Sequence, residues 1–291
     1  MTGSSDGRVV VVTGAGQGIG RAHALAFAAD GALVVVNDIG PAATAVVDEV
    51  RATGGEAVAS IGDVADWDYA HSMVQTAVTH FGALDTLINN AGLVRDRMLV
   101  NMSEAEWDEV LRVDLKGHFC PLRHAAAYWR DEAKAGTPRQ ARIVNTSSGA
   151  GLLGSVGQGN YAAAKAGVVG LTLVAAAELH RYGITVNAIA PAARTPMTEA
   201  VFAQTMAKPE SGFDPMDPAN VSPLVVWLGG SDSGDVTGRV FEVEAGVIGP
   251  ADGWQHGPRE DKQSRWQPHE VGPAVRRLLA QAPPPAGVYG A

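Results

Sequence analysis

Seven apolar runs of strand length, at residues 8–13, 32–38, 57–61, 84–89, 142–147, 184–190 and 240–243, alternate with stretches patterned as helices. A chain that returns to an apolar strand after each helical stretch builds a parallel sheet covered by helices on both faces. The helices are expected at about residues 19–30, 42–53, 67–81, 104–135 with a break inside it, and 161–182. Ser103 followed by Glu106 has the spacing of a capping box for the fourth of these. At 291 residues the chain fits one such α/β domain, expected over 1–249, with a polar, Pro-rich C-terminal extension over 250–291 placed at a subunit interface. Within that extension residues 271–279 pattern as a short helix, and 283–291 as a loosely ordered end unless a partner subunit holds it.

Right-handed crossovers between parallel strands favour the doubly wound, Rossmann-like arrangement, here with a seven-stranded parallel sheet and ligands at the carboxyl ends of the strands. The turn after the first strand is Thr13-Gly14-Ala15-Gly16-Gln17-Gly18-Ile19-Gly20. Its spacing misses the common G-x-G-x-x-G because position 19 is Ile. Glycines let the backbone approach a pyrophosphate, and the next helix offers N–H donors and a positive dipole end. Asp38 ends the second strand, about where a carboxylate accepts from an adenosine ribose 2'-hydroxyl. It would repel a 2'-phosphate, so NAD is expected over NADP, with Arg21 the nearby cation that argues the other way.

Tyr161 and Lys165 are four residues apart and share a helix face. A tyrosine titrates near pH ~10, and a fixed neighbouring cation is expected to lower that value and ready the phenol for proton transfer. Ser148, at the end of the fifth strand, can converge with Tyr161 on one carbonyl oxygen. Each feature alone is ordinary: a helix pair, a cap, a strand–helix joint. Combined, they point to a nicotinamide-dependent carbonyl/alcohol oxidoreductase. That chemistry needs no metal, and the eight histidines form no ligand pattern. Ser148 also lacks the Gly-x-Ser-x-Gly elbow of a serine hydrolase.

With these motifs in place, the chain resembles the short-chain dehydrogenase/reductase family over about residues 8–248. The resemblance implies a cofactor cleft formed by Gly14, Gln17, Gly18, Ile19 and Gly20, by Asp63 and Val64 beside the adenine, and by Asn90, Ala91 and Gly92 along the cleft. It also implies that Tyr161, Lys165, Pro191 and Thr195 meet the nicotinamide end. The family's catalytic Asn aligns with Asp114, which when ionised accepts but cannot donate. Asp114 is expected in a proton relay, or else paired with Lys116 or holding a water through its backbone. Residues 242–249 also depart from the family, whose members mostly end shortly after an Asp-Gly-Gly. This end, with 35–40, 92–98 and 221–228, is similar to the (3R)-hydroxyacyl-CoA dehydrogenase unit of the peroxisomal multifunctional β-oxidation enzyme and to bacterial dehydrogenases of steroid and fatty-acid breakdown. That similarity implies NAD-linked oxidation of a secondary alcohol such as a 3-hydroxyacyl-CoA or a steroid. The alternatives are a 3-oxoacyl thioester reductase and a catalytically silent NAD-binding protein. Arg95 and Arg97 either meet CoA phosphates or form surface ion pairs with Asp96 or other neighbours.

A formal charge of −9 without Lys/Arg runs disfavours nucleic acid and anionic membranes as partners. Cys120, the single cysteine, excludes an internal disulfide framework. Residues 1–8 lack an apolar signal region, and no apolar stretch is expected to reach the ~18 residues that span a bilayer, so a cytoplasmic location is expected. The expected partners are a small-molecule substrate and further copies of the chain, as a homodimer or homotetramer assembled through helices 104–135 and 161–182. Residues 195–218, punctuated by Pro, Met and Gly, read as a mobile lid, and 149–158 as pocket lining.

Overall fold

The computed structural model describes residues 3–195, 206–251 and 253–290. Eight strands form one sheet: β1 Val9–Val12, β2 Leu33–Asp38, β3 Glu56–Ile61, β4 Thr86–Asn89, β5 Arg142–Thr146, β6 Thr185–Ala192, β7 Val240–Glu244 and β8 Val247–Pro250. Their order is β3-β2-β1-β4-β5-β6-β7-β8, which is doubly wound about β1 and β4. The first seven are parallel as expected, but the eighth corrects the count: β8 runs antiparallel to β7, pairing Glu244 with Val247. The extra strand comes from the segment that departs from the family's usual ending. Ala245 takes a left-handed φ of 51°, and Ala245-Gly246 reverses the chain into a hairpin.

Helices α1 Gly18–Ala29, α2 Ala42–Ala52 and α8 Ser222–Gly229 cover one face; α3 Trp67–Phe81, α5 Gly117–Lys134 and α7 Gly159–Leu179 cover the other. The all-valine β1 shows why both faces are apolar. Alternate side chains point to opposite faces, so Val10 and Val12 join Phe27, Val50 and Leu228 in one core. Val9 and Val11 join Met73, Leu87 and Trp129 in the other. The break expected within 104–135 lies between α4 Glu104–Val110 and α5, where residues Leu111–Lys116 widen into a π turn. Such bulges are rare and frequently lie at functional sites. The Ser103–Glu106 capping box is present, with Ser103 N–H donating to Glu106 at 2.9 Å and Glu106 N–H to Ser103 Oγ at 3.3 Å. A short α6, Gly149–Leu153, joins β5 to α7.

One further expectation needs correction. Gly159–Tyr182 runs 24 helical residues with an 18-residue window of mean hydropathy 1.5, long and apolar enough by composition to cross a bilayer. In the fold this helix lies on the sheet, burying Val168, Ala175 and Ala176, and a helix that also helps build a core is apolar beyond one stripe. At the C-terminus, α9 Pro268–Leu279 forms where a short helix was expected. The chain end beyond it is paired with its own domain. Val156 N–H donates to Tyr289 O at 2.9 Å and Tyr289 N–H to Gly154 O at 3.2 Å, so backbone hydrogen bonding ties Tyr289 to the 154–156 segment of its own chain.

Phe27 is fully buried, and its ring comes so close to Gly229 that a Cβ there would lie 2.7 Å from Phe27 Cζ. Phe27→Ala should therefore lower the unfolding free energy by about 3–5 kcal/mol, the usual effect of truncating a packed core aromatic, measured as a fall in the urea midpoint at unchanged m.

Candidate active site

The expected cleft residues gather at the carboxyl ends of β1, β2, β4, β5 and β6. The glycine turn is shaped by contacts that leave no room for side chains. Gly14 has φ 60°, and a Cβ on it would lie 2.7 Å from Ala91 Cα. A Cβ on Gly20 would lie 2.2 Å from Gly14 O. Thr13 and Asn90 lock this approach: Asn90 Nδ2 donates to Thr13 O at 3.0 Å, while Asn90 N–H and Ala91 N–H donate to Thr13 Oγ1 at 2.9 and 3.1 Å. At the start of α1, Gln17 makes no side-chain cap and the first turn holds no acidic residue. Ile19 packs against the core from this turn. The helix end therefore keeps N–H donors and its positive dipole for an anion. Thr195 closes on the same turn, its Cγ2 lying 3.4 Å from where a Gly18 Cβ would stand. Pro191 pairs with Val243 just before the β6 end.

Asp38 sits under the turn and accepts from Gly16 N–H at 3.0 Å and Gly40 N–H at 3.2 Å. One N–H on each carboxylate oxygen leaves lone pairs for ribose hydroxyls. Arg21 is paired with Glu49 across α1 and α2. Asp63 caps its own turn, accepting from Ala65 N–H at 2.8 Å, and pairs with Arg112 at 2.5 Å. Burial opposes its charge, but Arg112 and the Ala65 amide outweigh this and hold its carboxyl below the ordinary range. Val64 beside it is buried. A glycine-lined turn, a helix N-terminus and a carboxylate at the end of β2 together fit a dinucleotide.

Ser148, Tyr161, Lys165 and Asp114 converge beside this cleft. Ser148 is the N-cap of α6, its Oγ accepting from Ala150 N–H at 3.2 Å, and its hydroxyl favours the Tyr161 phenolate. Lys165 Nζ stands 5.5 Å from the Tyr161 ring centroid. Lys165 is buried; it donates to Thr146 O at 2.9 Å and pairs with Asp114 Oδ1 at 3.1 Å. Asp114, brought inward by the π turn, also accepts from Leu93 N–H at 3.0 Å. The expected pairing with Lys116 is thus replaced by one with Lys165. A Cβ on Gly92 would lie 2.5 Å from Asp114 Oδ1 and 3.3 Å from Lys165 Nζ, so the glycine makes way for this pair.

The expected effect on Tyr161 is also corrected. Burial pushes the half-buried phenol above its ordinary value, Lys165 pulls it down, and Asp114 pushes it up again. The lysine charge acts as anticipated, but burial and the opposing carboxylate outweigh it. Asp114 itself is raised by burial and lowered by Lys165. Arg95 and Arg97 are engaged by Glu109 and Glu106, not by Asp96. Of the expected lid, residues 196–205 lie outside the described residues. Its described remainder is anchored by Arg194, which pairs with Asp214 at 2.6 Å and donates to Met206 O.

Sequence reasoning missed Thr146, whose carbonyl holds Lys165, and the buried chain in which Asn89 Nδ2 donates to Asn145 Oδ1 at 2.9 Å and Asn145 Nδ2 to Thr172 Oγ1 at 2.9 Å. Asparagines inside otherwise apolar strands were the available signal. It also missed His118, fully buried one helical turn from Asp114 and held well below its usual range by burial.

Residues 8–206 match the short chain dehydrogenase family. The chain belongs to the short-chain dehydrogenase family. Hydroxyacyl-CoA dehydrogenase ChsB1 of Mycobacterium tuberculosis is 46% identical over 291 aligned residues, covering 96% of this dehydrogenase and 90% of that protein. The mouse peroxisomal multifunctional enzyme type 2 is 43% identical over 84% of this chain, which spans 32% of that longer protein. A crystal structure of a short chain dehydrogenase from Mycobacterium avium superposes with TM-score 0.93 at 63% identity, covering 99% of this chain and 100% of that one. The protein is an oxidoreductase with the family's α/β fold, and members of this family typically use NAD or NADP.

Replacing Asp114 with Asn keeps an acceptor for Leu93 N–H and removes the negative charge that holds Tyr161 up. The apparent pKa on the acid side of the kcat/KM profile for alcohol oxidation should therefore move to lower pH in Asp114→Asn, read across a pH series with saturating cofactor.

Proposed function

We propose that this dehydrogenase oxidises the secondary alcohol of a 3-hydroxyacyl-CoA or a similarly apolar, steroid-like alcohol to the ketone with NAD. The observation that carries the reading is the meeting of the Ser148 hydroxyl, the Tyr161 phenol and the buried Lys165 cation beside the glycine turn. When bound, the nicotinamide supplies the hydride acceptor. Tyr161 takes the proton of the substrate hydroxyl, and Ser148 donates a hydrogen bond to the same oxygen as it becomes a carbonyl. Lys165, fixed by Thr146 O and Asp114, keeps the phenolate form accessible. Because burial holds Tyr161 above its ordinary value, the base form grows with pH; oxidation should rise toward alkaline pH, and ketone reduction should fall.

NAD is favoured by Asp38, whose carboxylate is fixed by two backbone N–H groups where a 2'-phosphate would meet it, and by Arg21 being committed to Glu49. The substrate class rests on the name of the 46% identical relative, hydroxyacyl-CoA dehydrogenase, and on the peroxisomal enzymes that match over most of this chain. The reductase reading finds a relative in the 3-oxoacyl-[acyl-carrier-protein] reductase of Synechocystis, 39% identical over 83% of this chain. Further copies of the chain are proposed to pack on the exposed apolar faces of α5 and α7, where Phe119, Leu173 and Val174 are exposed.

Initial rates with NAD and NADP on a panel of 3-hydroxyacyl-CoAs, sterols and small alcohols test the proposal. NAD with hydroxyacyl-CoA should give the highest kcat/KM, and Tyr161→Phe should lower kcat about 10²–10⁴-fold with cofactor affinity retained. A chain that binds NAD yet oxidises no member of the panel would refute it. In the same assays Asp38→Ser should narrow the gap between NAD and NADP, while tighter NADPH binding by the unaltered chain would reverse the cofactor assignment.

A further inference from the structure

We infer that the C-terminal residues 288–290 form a wall of the substrate pocket and that Tyr289 determines selectivity for the apolar group that the alcohol carries. The inference rests on the function proposed above. Three segments meet at the mouth of the site. The middle one, 149–158, runs from Ser148 to the start of α7. On one side it is bridged to 97 through Gln158, with Arg97 N–H donating to Gly157 O at 2.7 Å. On the other it is bridged to Tyr289 through Ser155, by the two backbone hydrogen bonds from Val156 and to Gly154. The strand-like pairing fixes the register of the strap, and register decides which side chain faces the site.

That side chain is Tyr289. A Cβ on Gly149, the residue after Ser148, would lie 3.0 Å from Tyr289 Oη and 3.1 Å from its Cε2. The ring thus rests on the first residue of α6, next to Ser148. Val288 lies beside Gly154, and Gly290 takes a left-handed φ of 77° next to Val156. The strap leaves apolar side chains exposed around the mouth: Leu99 (69%), Leu153, Val156 and Val288, with Tyr289 itself 47% exposed. Exposed apolar side chains clustered on paired segments next to polar, hydrogen-bonding groups are the make-up of a ligand pocket. An apolar chain or ring on the substrate would cover them, and the ring of Tyr289 would pack against that group past Ser148.

The test uses the full chain, Tyr289→Ala and a chain ending at residue 282, each assayed with 3-hydroxybutyryl-CoA and 3-hydroxydodecanoyl-CoA. Both changes should raise KM for the long substrate about tenfold, the effect of losing one apolar pocket contact, with KM for NAD unchanged. Hydrogen exchange supplies a reading independent of turnover. The Val156 amide should be slow in the full chain and fast in the shortened one. A Val156 amide equally fast in both shows an unseated strap and overturns the inference. So does an unchanged long-to-short KM ratio in Tyr289→Ala with normal Tm, which leaves the strap a purely structural tie. If the shortened chain fails to fold, Tyr289→Ala decides alone. A full chain inert on every alcohol refutes the functional reading and this inference together; an active full chain whose selectivity ignores Tyr289 refutes only the inference.

Discussion

The Lys165 ammonium is buried, and a buried cation is tolerated only when its hydrogen bonds are met. Its partners come from separate parts of the chain: the carbonyl of Thr146 at the end of β5 and the carboxylate of Asp114 in the π turn between α4 and α5. Those requirements pin α7 against β5 and fix the helix that carries Tyr161. Removing one partner of such a pair typically costs about 3–5 kcal/mol, because the other charge stays buried. The site and the stability of this corner of the fold are therefore one problem, and Gly92 is part of its solution, since a side chain there would occupy the place where the two charges meet.

The same pair sets the chemical temper of the phenol. A lone lysine beside Tyr161 would favour the phenolate, but an aspartate 3.1 Å from that lysine returns much of the negative charge. With an asparagine at this position one of the groups that oppose the lysine field would be gone, and burial would remain. The carboxylate helps keep Tyr161 protonated at neutrality, so that less of its phenolate base form is present there. Asp114 reaches Lys165 because residues 111–116 form a π turn, which rotates the side chains beyond it relative to a continuous α-helix.

The sheet delivers the two halves of the site to one edge. The glycine turn after β1 and the Asn90-Ala91-Gly92 segment after β4 touch because β1 and β4 are neighbours in register. Ser148 lies near Tyr161 because α6, which it caps, packs against α7. Each crossover adds one strand end to the rim, so the proposed cofactor cradle and proton-transfer groups are built by topology from residues as far apart as Gly14 and Thr195. The middle segment 149–158 then joins this rim to the chain's own C-terminus.

The apolar periodicity determined the parallel sheet, the helix order and the strand ends, because burial of alternate side chains on two faces is a local property of residues such as Val9 to Val12. The Tyr161–Lys165 pairing and the bend at the glycine turn were legible for the same reason: helical spacing and backbone freedom act over a few residues. The partner of Lys165, the upward push on Tyr161, the eighth strand and the docking of Tyr289 on Gly149 were decided only by the tertiary structure. Each depends on distances between groups remote in the chain, and on burial that exists only once the sheet has closed around them.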